Sequence, residues 1–424
     1  MMLRRLKPHQ VQELRREAVD EPTLRDAAVI VHEVRHGGEA ALRRYAGLFG
    51  ERASDQPLAV DQVRLHNALR TLPGDQRALL ERTAARIEDF ALAQRAALSD
   101  LTFPVPGGEA GHSIAPVDRA GCYAPGGRYP LPSSVLMTAV TARAAGVSEV
   151  WVASPRPTHI TLAAAAVAGA DGLLAVGGAH AIAALAYGVG GPPPCDVVVG
   201  PGNRWVTAAK KLVAGEVGID MLAGPSELVV LADASADPGV VAADILAQAE
   251  HDPEALPVLV TTDPALADAV DTELENQLAE LPTRDIAGAA LANGFAVIAD
   301  TLDEALAVCD RLAPEHLQIL TRDAEEVARR ANHYGGLFVG GASAEVFGDY
   351  GIGPNHTLPT GGVARFKGGL SVFDFLRIRT WLRMSDGPDA AAAACDAAAL
   401  ARLEGLEAHA RAAERRLTVL PSGR

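Results

Sequence analysis

The sequence has few cysteines, few aromatic residues and no excess of positive charge. Its four cysteines are far apart and form no CxxC pair, which excludes a disulfide framework and a cysteine-rich zinc module. The formal charge of −15 argues against a nucleic-acid-binding surface, which needs a stripe of basic residues. Aromatic residues make up only 4% of the chain, so alanine and valine must supply most of the apolar core. The remaining composition, 49% hydrophobic and 21% charged, is typical of a globular protein.

The sequence also shows no targeting or membrane segment. Residues 1–19 have a charge-rich amphipathic helix pattern without the apolar run of a secretory signal. Residues 172–191 carry no formal charge and are long enough to cross a bilayer, but they are mostly glycine and alanine and break at Gly177–Gly178. A buried strand, a glycine turn and a buried helix explain them better. We therefore expect a soluble, cytoplasmic protein that contacts neither membrane nor nucleic acid.

Two stretches of the chain alternate between short apolar runs and helical segments. Between Tyr123 and Gly224 the runs lie at 150–153, 173–176 and 197–199. After Pro225 they lie at 228–231, 258–261, 295–298, 317–320 and 337–339. Strands without polar alternation, interleaved with helices, are typical of a parallel sheet covered on both faces. The sequence therefore predicts an α/β fold with two doubly wound, Rossmann-like parallel-sheet domains and helical N- and C-terminal extensions.

The length of 424 residues fits two or three domains. The segment before residue 101 is predicted to be helices separated by turns, and residues 101–123 show only short extended pieces. We predict a helical extension at 1–20, a discontinuous first α/β domain at 21–118 plus 227–370, a second α/β domain at 119–226 and a helical tail at 371–424.

The common nucleotide-binding signatures are missing, and one weaker candidate remains. There is no P-loop and no GxGxxG between a strand and a helix. The turn Gly200–Asn203 follows the apolar run 197–199 and precedes a predicted helix. Close backbone approach and a helix N-terminus suit a phosphate or ribose, while a tight turn without any ligand fits the pattern equally well.

Several polar residues have the spacing or setting of metal ligands. Gln248 and His251, three apart at the end of a predicted helix, can face one ion, although His251 can equally interact with the helix C-terminus. Asp349 and His356 lie in a long segment rich in glycine and proline, a type of loop that is more often functional than idle. On the predicted tail helix, Glu404 and His409 are five residues apart and are expected on different faces, with different roles.

Glu315 and His316 lie side by side where the chain enters a predicted strand. Adjacent side chains of an extended segment point in opposite directions, so one can face a substrate while the other acts on a water molecule. A surface Glu–His pair without function is the commoner case for such a dipeptide.

Several motifs together resemble the histidinol dehydrogenase family. The likeness runs from about residue 20 to residue 417, in the family's order and with similar spacing. Matches of this length and number are highly specific. The matching segments are 123–127, 200–203, 223–227, 242–244 with 248–252, 313–317, 348–350 with 353–356, 358–362 and 404–406 with His409.

The resemblance implies a zinc site and a two-step oxidation. It implies Zn²⁺ held by Gln248, His251, Asp349 and His409, one ion per subunit. The implied reaction is L-histidinol to L-histidine through histidinaldehyde, the last step of histidine biosynthesis, with reduction of two NAD. His316 matches the general base, and Glu315 matches the residue that delivers water to the aldehyde. The substrate-binding positions implied are Ser226, Gln248, His251, His316, Asp349, His356, Glu404 and His409.

The resemblance also assigns cofactor contacts and an assembly. It implies NAD contacts at Tyr123, Asn203 and His180, and His180 stands where family members usually have glutamine. We hypothesise a weaker or pH-sensitive NAD affinity for this reason. The segment 128–131 also departs from the commonest family form. In the family the tail helix crosses to the partner subunit, which implies a homodimer in which Glu404 and His409 complete the other protomer's site.

Other functions remain open at this point. A paralogous zinc- and NAD-dependent dehydrogenase of another small amino alcohol or diol would keep the metal residues and change the substrate contacts. A zinc hydrolase would not need NAD, and a non-catalytic relative would not need both Glu315 and His316. Cys122 and Cys195 lie near the cofactor segments, where a thiol nucleophile is conceivable, but small buried residues are the better interpretation.

Overall fold

In the computed structural model, residues 3–12, 17–53, 55–126 and 130–417 are described. They fall into two compact units, one formed by residues 1–93 and 117–375, the other by residues 94–116 and 376–424. Gly127, Arg128 and Tyr129, which belong to two of the segments compared with the family above, lie outside the described residues.

The strands, in chain order, are β1 (Arg4–Leu6), β2 (Ala59–Asp61), β3 (Leu101–Val105), β4 (Gly108–Pro116), β5 (Arg119–Tyr123), β6 (Glu149–Ala153), β7 (Gly172–Leu174), β8 (Val197–Val199), β9 (Gly218–Ile219), β10 (Glu227–Ala232), β11 (Leu256–Thr261), β12 (Phe295–Ile298), β13 (His316–Leu320), β14 (Gly336–Val339) and β15 (Leu376–Met384).

The α-helices are α1 (Glu21–Leu48), α2 (Gln62–Thr71), α3 (Gly74–Ala96), α4 (Pro132–Ala145), α5 (His159–Val167), α6 (Gly178–Tyr187), α7 (Arg204–Val213), α8 (Pro238–Ala249), α9 (Pro264–Glu280), α10 (Arg284–Leu291), α11 (Leu302–Leu312), α12 (Ala324–Ala328), α13 (Glu345–Asp349), α14 (Pro388–Leu403) and α15 (Glu407–Leu417). Short 3-10 turns occur at Pro8–Gln10, Val363–Arg365 and Val372–Phe375.

The first unit contains the two predicted parallel sheets, which confirms the α/β fold class. The sheet order is β2-β7-β6-β5-β8-β9 in one sheet and β1-β12-β11-β10-β13-β14 in the other. Each sheet contains five parallel strands in the same doubly wound order. Numbered along the chain within each sheet, these five strands lie side by side as 3-2-1-4-5. The two halves of the unit therefore repeat one topology without a detectable sequence repeat.

Both sheets gain an extra edge strand from the N-terminal part of the chain, and this corrects two predictions. The expected helical extension at 1–20 is wrong for Arg4–Leu6, which pair with β12 as a parallel strand. Contacts with Asp271 hold this segment: its carboxylate accepts from the backbone N–H of the buried Leu3 at 2.9 Å and pairs with Arg5 at an N–O distance of 2.6 Å. Residues 13–16 of that extension lie outside the described residues.

The second correction concerns residues 21–71, which were assigned to the domain at 227–370. Strand β2 instead pairs with β7, α1 packs against α6 and α7, and α2 packs against α5, all in the sheet of residues 119–226. Helix α1 is kinked at Gly38, which has φ 56°. Such pairings across more than a hundred residues leave no local pattern in the sequence.

Small apolar residues build the interior of the first unit, as the composition predicted. Helix α6 is buried along almost its whole length, and strand β7 before it is fully buried. The uncharged segment 172–191 is thus the strand, turn and helix expected from its glycines. Among the described helices, none combines the length and apolar character needed to cross a membrane.

The second unit is built differently from the predicted helical tail. Strands β3, β4 and β15 form an antiparallel sheet, and α14 packs against α15. Residues 376–384 are therefore a strand, and only α14 and α15 correspond to the predicted helices. Strand β15 alternates charged and apolar residues, a pattern that a helical reading of the tail overlooks.

Candidate active site

Many of the predicted site residues gather at one edge of the sheet that contains β10. Ser226 precedes β10, and Glu315 precedes β13, whose first residue, His316, pairs in register with Leu228. Helix α8 runs back from the carboxyl end of β10, so Gln248 and the following His251 reach the same edge. This is the amino edge of the parallel strands, whereas open α/β sheets usually bind ligands at the carboxyl edge.

His251 and Asp349 form the centre of the metal candidate. His251 Nε2 lies 3.3 Å from Asp349 Oδ2. The hydrogen bond with Asp349 raises the pKa of His251. Burial alone would raise the pKa of Asp349, but the hydrogen bond from His251 and the charges of the neighbouring histidines bring it below its ordinary value. The two groups therefore favour each other's charged state when no other cation is present.

One further ligand-type residue, Glu345, joins this pair and was missed by sequence analysis. Ligand atoms of His251, Glu345 and Asp349 all lie within 4.8 Å of one another. Glu345 and Asp349 begin and end the short helix α13, four residues apart, so they share a helical face. The Glu-x-x-x-Asp spacing was visible in the sequence, but nothing local marked the segment as a helix.

The donor set of this cluster fits zinc. Gln248 is fully buried, and neither atom of its side-chain amide has a hydrogen-bond partner among the described residues. His356 Nδ1 is likewise buried without a partner in that part of the chain. Amide oxygen, imidazole nitrogen and carboxylate oxygen are all donors that Zn²⁺ accepts, and a buried polar group left without a partner is costly. An ion bound here would take the amide oxygen and the imidazole nitrogens as ligands.

His316 is held as a neutral ring with one free nitrogen. Its Nδ1 donates to the carbonyl oxygen of Glu227 at 3.0 Å, which assigns the remaining lone pair to Nε2. Nε2 is buried and has no partner among the described residues. Burial lowers the pKa of His316 to about 4. The arrangement leaves a proton acceptor at neutral pH.

Glu315 is anchored separately from its neighbour. Its Oε2 accepts a hydrogen bond from the backbone N–H of Glu227 at 2.8 Å and lies 3.7 Å from His316 Nδ1, too far for a hydrogen bond. Burial raises the pKa of Glu315 well above its ordinary value. A carboxyl group with a raised pKa can exchange protons near neutral pH.

A cavity of about 530 Å³ joins part of this site to the turn at Gly200–Asn203. Its walls include Ser226, His251, Glu315 and His356, together with that turn. Residues far apart in sequence thus line one space that is large enough for a small molecule.

A second cavity, of about 770 Å³, lies at the carboxyl edge of the sheet that contains β5. Tyr123, His180 and Asn203 all line it. Tyr123 ends β5 and Gly200 follows β8, and the strand order reverses between these two strands. Such a reversal is the usual dinucleotide site of a doubly wound sheet. The two cavities share Pro125, Asn203 and Trp205 in their walls.

His180 has a partner that the sequence did not reveal. Its Nε2 lies 2.8 Å from Oε2 of Glu51, which also accepts the backbone N–H of Gly177 at 3.1 Å. The ring stacks on Phe49 with a centroid distance of 5.4 Å. Glu51 and Phe49 line the larger cavity as well. His180 therefore acts in this wall as half of a buried pair.

The turn at Gly200 is fixed by a buried ion pair. Gly200 has φ 121°, and a Cβ there would lie 2.0 Å from the carbonyl oxygen of Tyr123, so only glycine fits. Its N–H donates to Asp220 at 2.8 Å, and its carbonyl accepts from Lys210 at 3.1 Å. Lys210 and Asp220 also pair with each other. The backbone N–H and the carbonyl of Gly200 are thereby both held in place.

Two predicted site residues belong to the second unit, and their placement needs a correction. Glu404 and His409 were expected on one continuous helix, but α14 ends at Leu403 and α15 begins at Glu407. Gly405, with φ 76°, ends the first helix in the left-handed conformation. The expectation that they lie on different faces of one helix therefore does not apply. Both residues are exposed.

The structure favours the structural interpretation of the cysteines. Cys122, Cys195 and Cys309 are buried free thiols. Burial raises the pKa of Cys122 to about 12 and raises that of Cys195 as well. A thiol held in its neutral form is a poor nucleophile.

Known proteins resemble this chain along almost its entire length. The model of the family "Histidinol dehydrogenase" matches residues 14–417. The histidinol dehydrogenase of Thermus thermophilus is 46% identical over 389 residues, which is 91% of this chain and 93% of that protein. The one from Parasynechococcus marenigrum is 45% identical, over 92% of this chain and 90% of its own. The crystal structure of histidinol dehydrogenase from Elizabethkingia anophelis superposes with a TM-score of 0.91 at 29% identity, covering 99% of each chain.

Proposed function

This chain belongs to the histidinol dehydrogenase family, and on that premise we propose that it converts L-histidinol to L-histidine through histidinaldehyde, with reduction of two NAD. It is an oxidoreductase of histidine biosynthesis. The observation that carries the proposed chemistry is His316: a buried, neutral imidazole whose Nε2 has no partner among the described residues.

In the first oxidation, His316 is the general base. A hydride leaves the alcohol carbon for the nicotinamide ring only if the hydroxyl proton is also removed, and Nε2 of His316 accepts that proton. The hydrogen bond from Nδ1 to the Glu227 carbonyl keeps Nε2 unprotonated and the ring in one orientation. The product of this step is histidinaldehyde, with one NADH.

The second oxidation needs the hydrated aldehyde, and Glu315 supplies the proton transfers of hydration. It takes a proton from the attacking water and returns one to the carbonyl oxygen. In the second hydride transfer His316 again accepts a hydroxyl proton, and the product is the carboxylic acid, which loses its proton to solvent, with a second NADH. The raised pKa of Glu315 suits a group that both accepts and donates.

For the metal, we propose Zn²⁺ held by Gln248, His251, Asp349 and His409. Bound there, the ion would anchor and orient the amino alcohol and would polarise its oxygen. The proposed substrate contacts include the four metal ligands and the general base His316. The remaining contacts are Ser226, His356 and Glu404. The buried amide of Gln248 without a partner among the described residues supports the assignment.

For the cofactor, we propose that NAD lies across the two cavities. Tyr123, His180 and Asn203 would hold it, and the shared wall at Pro125, Asn203 and Trp205 supports a ligand that reaches from one cavity to the other.

We also propose a homodimer in which the tail completes the partner's site. The second unit exposes large apolar side chains on both its sheet and its helices: Phe103, Ile378, Leu382, Leu400 and Leu403. Apolar surface of this kind marks a protein contact. Two inactive variants, His316→Gln and His409→Ala, should regain activity when they are unfolded together and refolded as mixed dimers. No recovery from mixed dimers of proven composition would contradict the shared site.

A cytoplasmic location is proposed as well. All four cysteines are free thiols, and Cys395 is exposed, which fits a reducing compartment.

The decisive assay is NADH formation from L-histidinol by purified protein, before and after chelation and zinc restoration. We expect two NADH per histidinol, loss on chelation and recovery with Zn²⁺. A zinc-loaded protein that reduces NAD with another small amino alcohol or diol, but not with histidinol, would instead be a paralogous dehydrogenase.

A further inference from the structure

Glu345 is the most unusual buried group of the first unit. Its side chain is 1% exposed, and neither carboxylate oxygen has a hydrogen-bond partner among the described residues. A buried carboxylate without a partner or a compensating charge costs several kcal/mol. A group of this kind needs a ligand to account for it.

The charges around Glu345 are of its own sign. The carboxylates that act on it electrostatically are Asp349, Glu315 and Asp244. In the described part of the chain, Asp244 bonds to Gln318 and Asp349 to His251. Glu315 bonds to Ser226 and to a backbone N–H. None of the bonds there involves lysine or arginine. In the described part of the chain no lysine or arginine neutralises these groups, so a divalent cation is the natural source of the positive charge that the cluster lacks.

The geometry places Glu345 where such a cation would bind. Its carboxylate, His251 and Asp349 each offer a ligand atom within 4.8 Å of the other two. All three belong to the first unit, and two of them are fixed by the same turn of α13. Three donors of this type are enough for a zinc site with open positions.

We propose that Glu345 is a residue of the metal site, and that together with Gln248, His251 and Asp349 it gives the first unit enough ligands to bind the metal without His409. The metal is then acquired by each protomer, and the tail closes a site that already holds its ion. This rests on the proposed function, which names the metal and the role of His409.

The test measures zinc affinity of the full-length protein by competition with a chromophoric chelator, together with metal content. The variants are Glu345→Gln, His409→Ala and the double variant, and Asp349→Asn serves as the reference for a lost ligand. We expect His409→Ala to retain one zinc per chain, and Glu345→Gln to lower the affinity at least about tenfold in either background, the range typical of metal-site changes. Equal affinities of His409→Ala and the double variant would overturn the proposal.

A matched control and a stability measurement separate metal binding from folding. Glu325→Gln removes an exposed acid from the first turn of α12, another five-residue helix, and should leave zinc affinity unchanged. Glu345→Gln replaces a buried carboxyl group that has no partner among the described residues, so the metal-free variant should melt no lower than the wild type, while the rise in Tm produced by zinc should shrink. If this variant does not fold, Glu345→Asp keeps the carboxylate and should bind zinc, more weakly than wild type but more tightly than Asp349→Asn.

Two outcomes are kept apart by this design. If the wild type itself binds no zinc, the proposed metal function fails. If zinc affinity is unchanged in Glu345→Gln and only the KM for histidinol rises, Glu345 serves the substrate, and the present inference fails while the proposed function stands.

Discussion

Replacing His316 by glutamine tests the base and its burial in one protein. Glutamine keeps the polar character and approximate size of the side chain but cannot accept a proton at neutral pH. Loss of a positioned general base typically costs about 10²–10⁴-fold in rate. We therefore expect kcat to fall by this factor, about 3–5 kcal/mol in activation free energy, with little change in zinc content.

The same residue predicts a stability effect with a defined sign. Its pKa is about 4 in the folded protein and about 6.5 in an unfolded chain, and this difference of 2.5 corresponds to about 3 kcal/mol. Because the folded value is the lower one, the unfolded chain binds the proton first, and stability falls as the pH drops below 6.5. By linkage, His316 should cost about 2 kcal/mol near pH 5, about 3 kcal/mol near pH 4 and almost nothing near pH 7.

The assay compares the stability of the wild type and of His316→Gln, both freed of metal, by urea unfolding at pH 7 and at pH 5. The difference between the proteins isolates His316, since the buried carboxyl groups with raised pKa, Glu315 and Glu345, act in the opposite sense in both. We expect the variant to gain about 2 kcal/mol on the wild type between pH 7 and pH 5. The reasoning is refuted if the difference in unfolding free energy between the two proteins is the same at both pH values. It is also refuted if the variant keeps more than about a tenth of the wild-type kcat.

Four further predictions follow from single contacts. Gln248→Leu should lower zinc affinity at least about tenfold by chelator competition without destabilising the metal-free protein, since its amide has no partner among the described residues; unchanged affinity contradicts this. Gly200→Ala should abolish NAD binding in calorimetric titration, because its Cβ collides with backbone; normal binding would remove the turn from the cofactor site. Lys210→Met leaves Asp220 buried without its cation and should cost about 3–5 kcal/mol in unfolding free energy, so an equal stability would disprove the role of the pair. His180→Gln should change the affinity for NAD or its pH dependence, and an affinity that is pH-independent and identical in both proteins rejects the hypothesis.

The central strands were predictable because their information is local. The apolar run 197–199 is strand β8, and the run 258–261 lies within β11. Strands buried on both faces of a parallel sheet need continuous apolar residues, and glycine or proline marks their ends. The N-cap at Asp237, whose side chain accepts from the N–H of Gly239, is equally local.

The edge strands and the second unit could not be predicted in the same way. Strand β15 pairs with β4 although Leu376 and Pro116 are 260 residues apart, and β1 pairs with β12 across a similar distance. Each of these segments is short or amphipathic, so a helical and an extended reading fit it equally well. Only the partner strand decides between them.

For the candidate site, the motifs named the residue types, and the family resemblance assigned their roles. Gln248 and His251 were recognisable by their spacing at a helix end and Asp349 by its glycine- and proline-rich segment, whereas Glu315 and His316 gained their significance from the family resemblance. Which protonation state each adopts was not recognisable. That depends on burial and on a few partners brought together from distant segments.

The sequence by itself thus determined the α/β class, the central strands and the family, since periodicity and motif spacing are properties of neighbouring residues. Only the tertiary structure decided that Nδ1 of His316 bonds to the Glu227 carbonyl and that His180 pairs with Glu51. The same holds for the position of Glu345 beside His251 and Asp349. Each of these contacts joins segments about ninety residues apart or more. They exist only after the sheets have ordered their strands, because hydrogen bonding, burial and charge proximity act through space rather than along the chain.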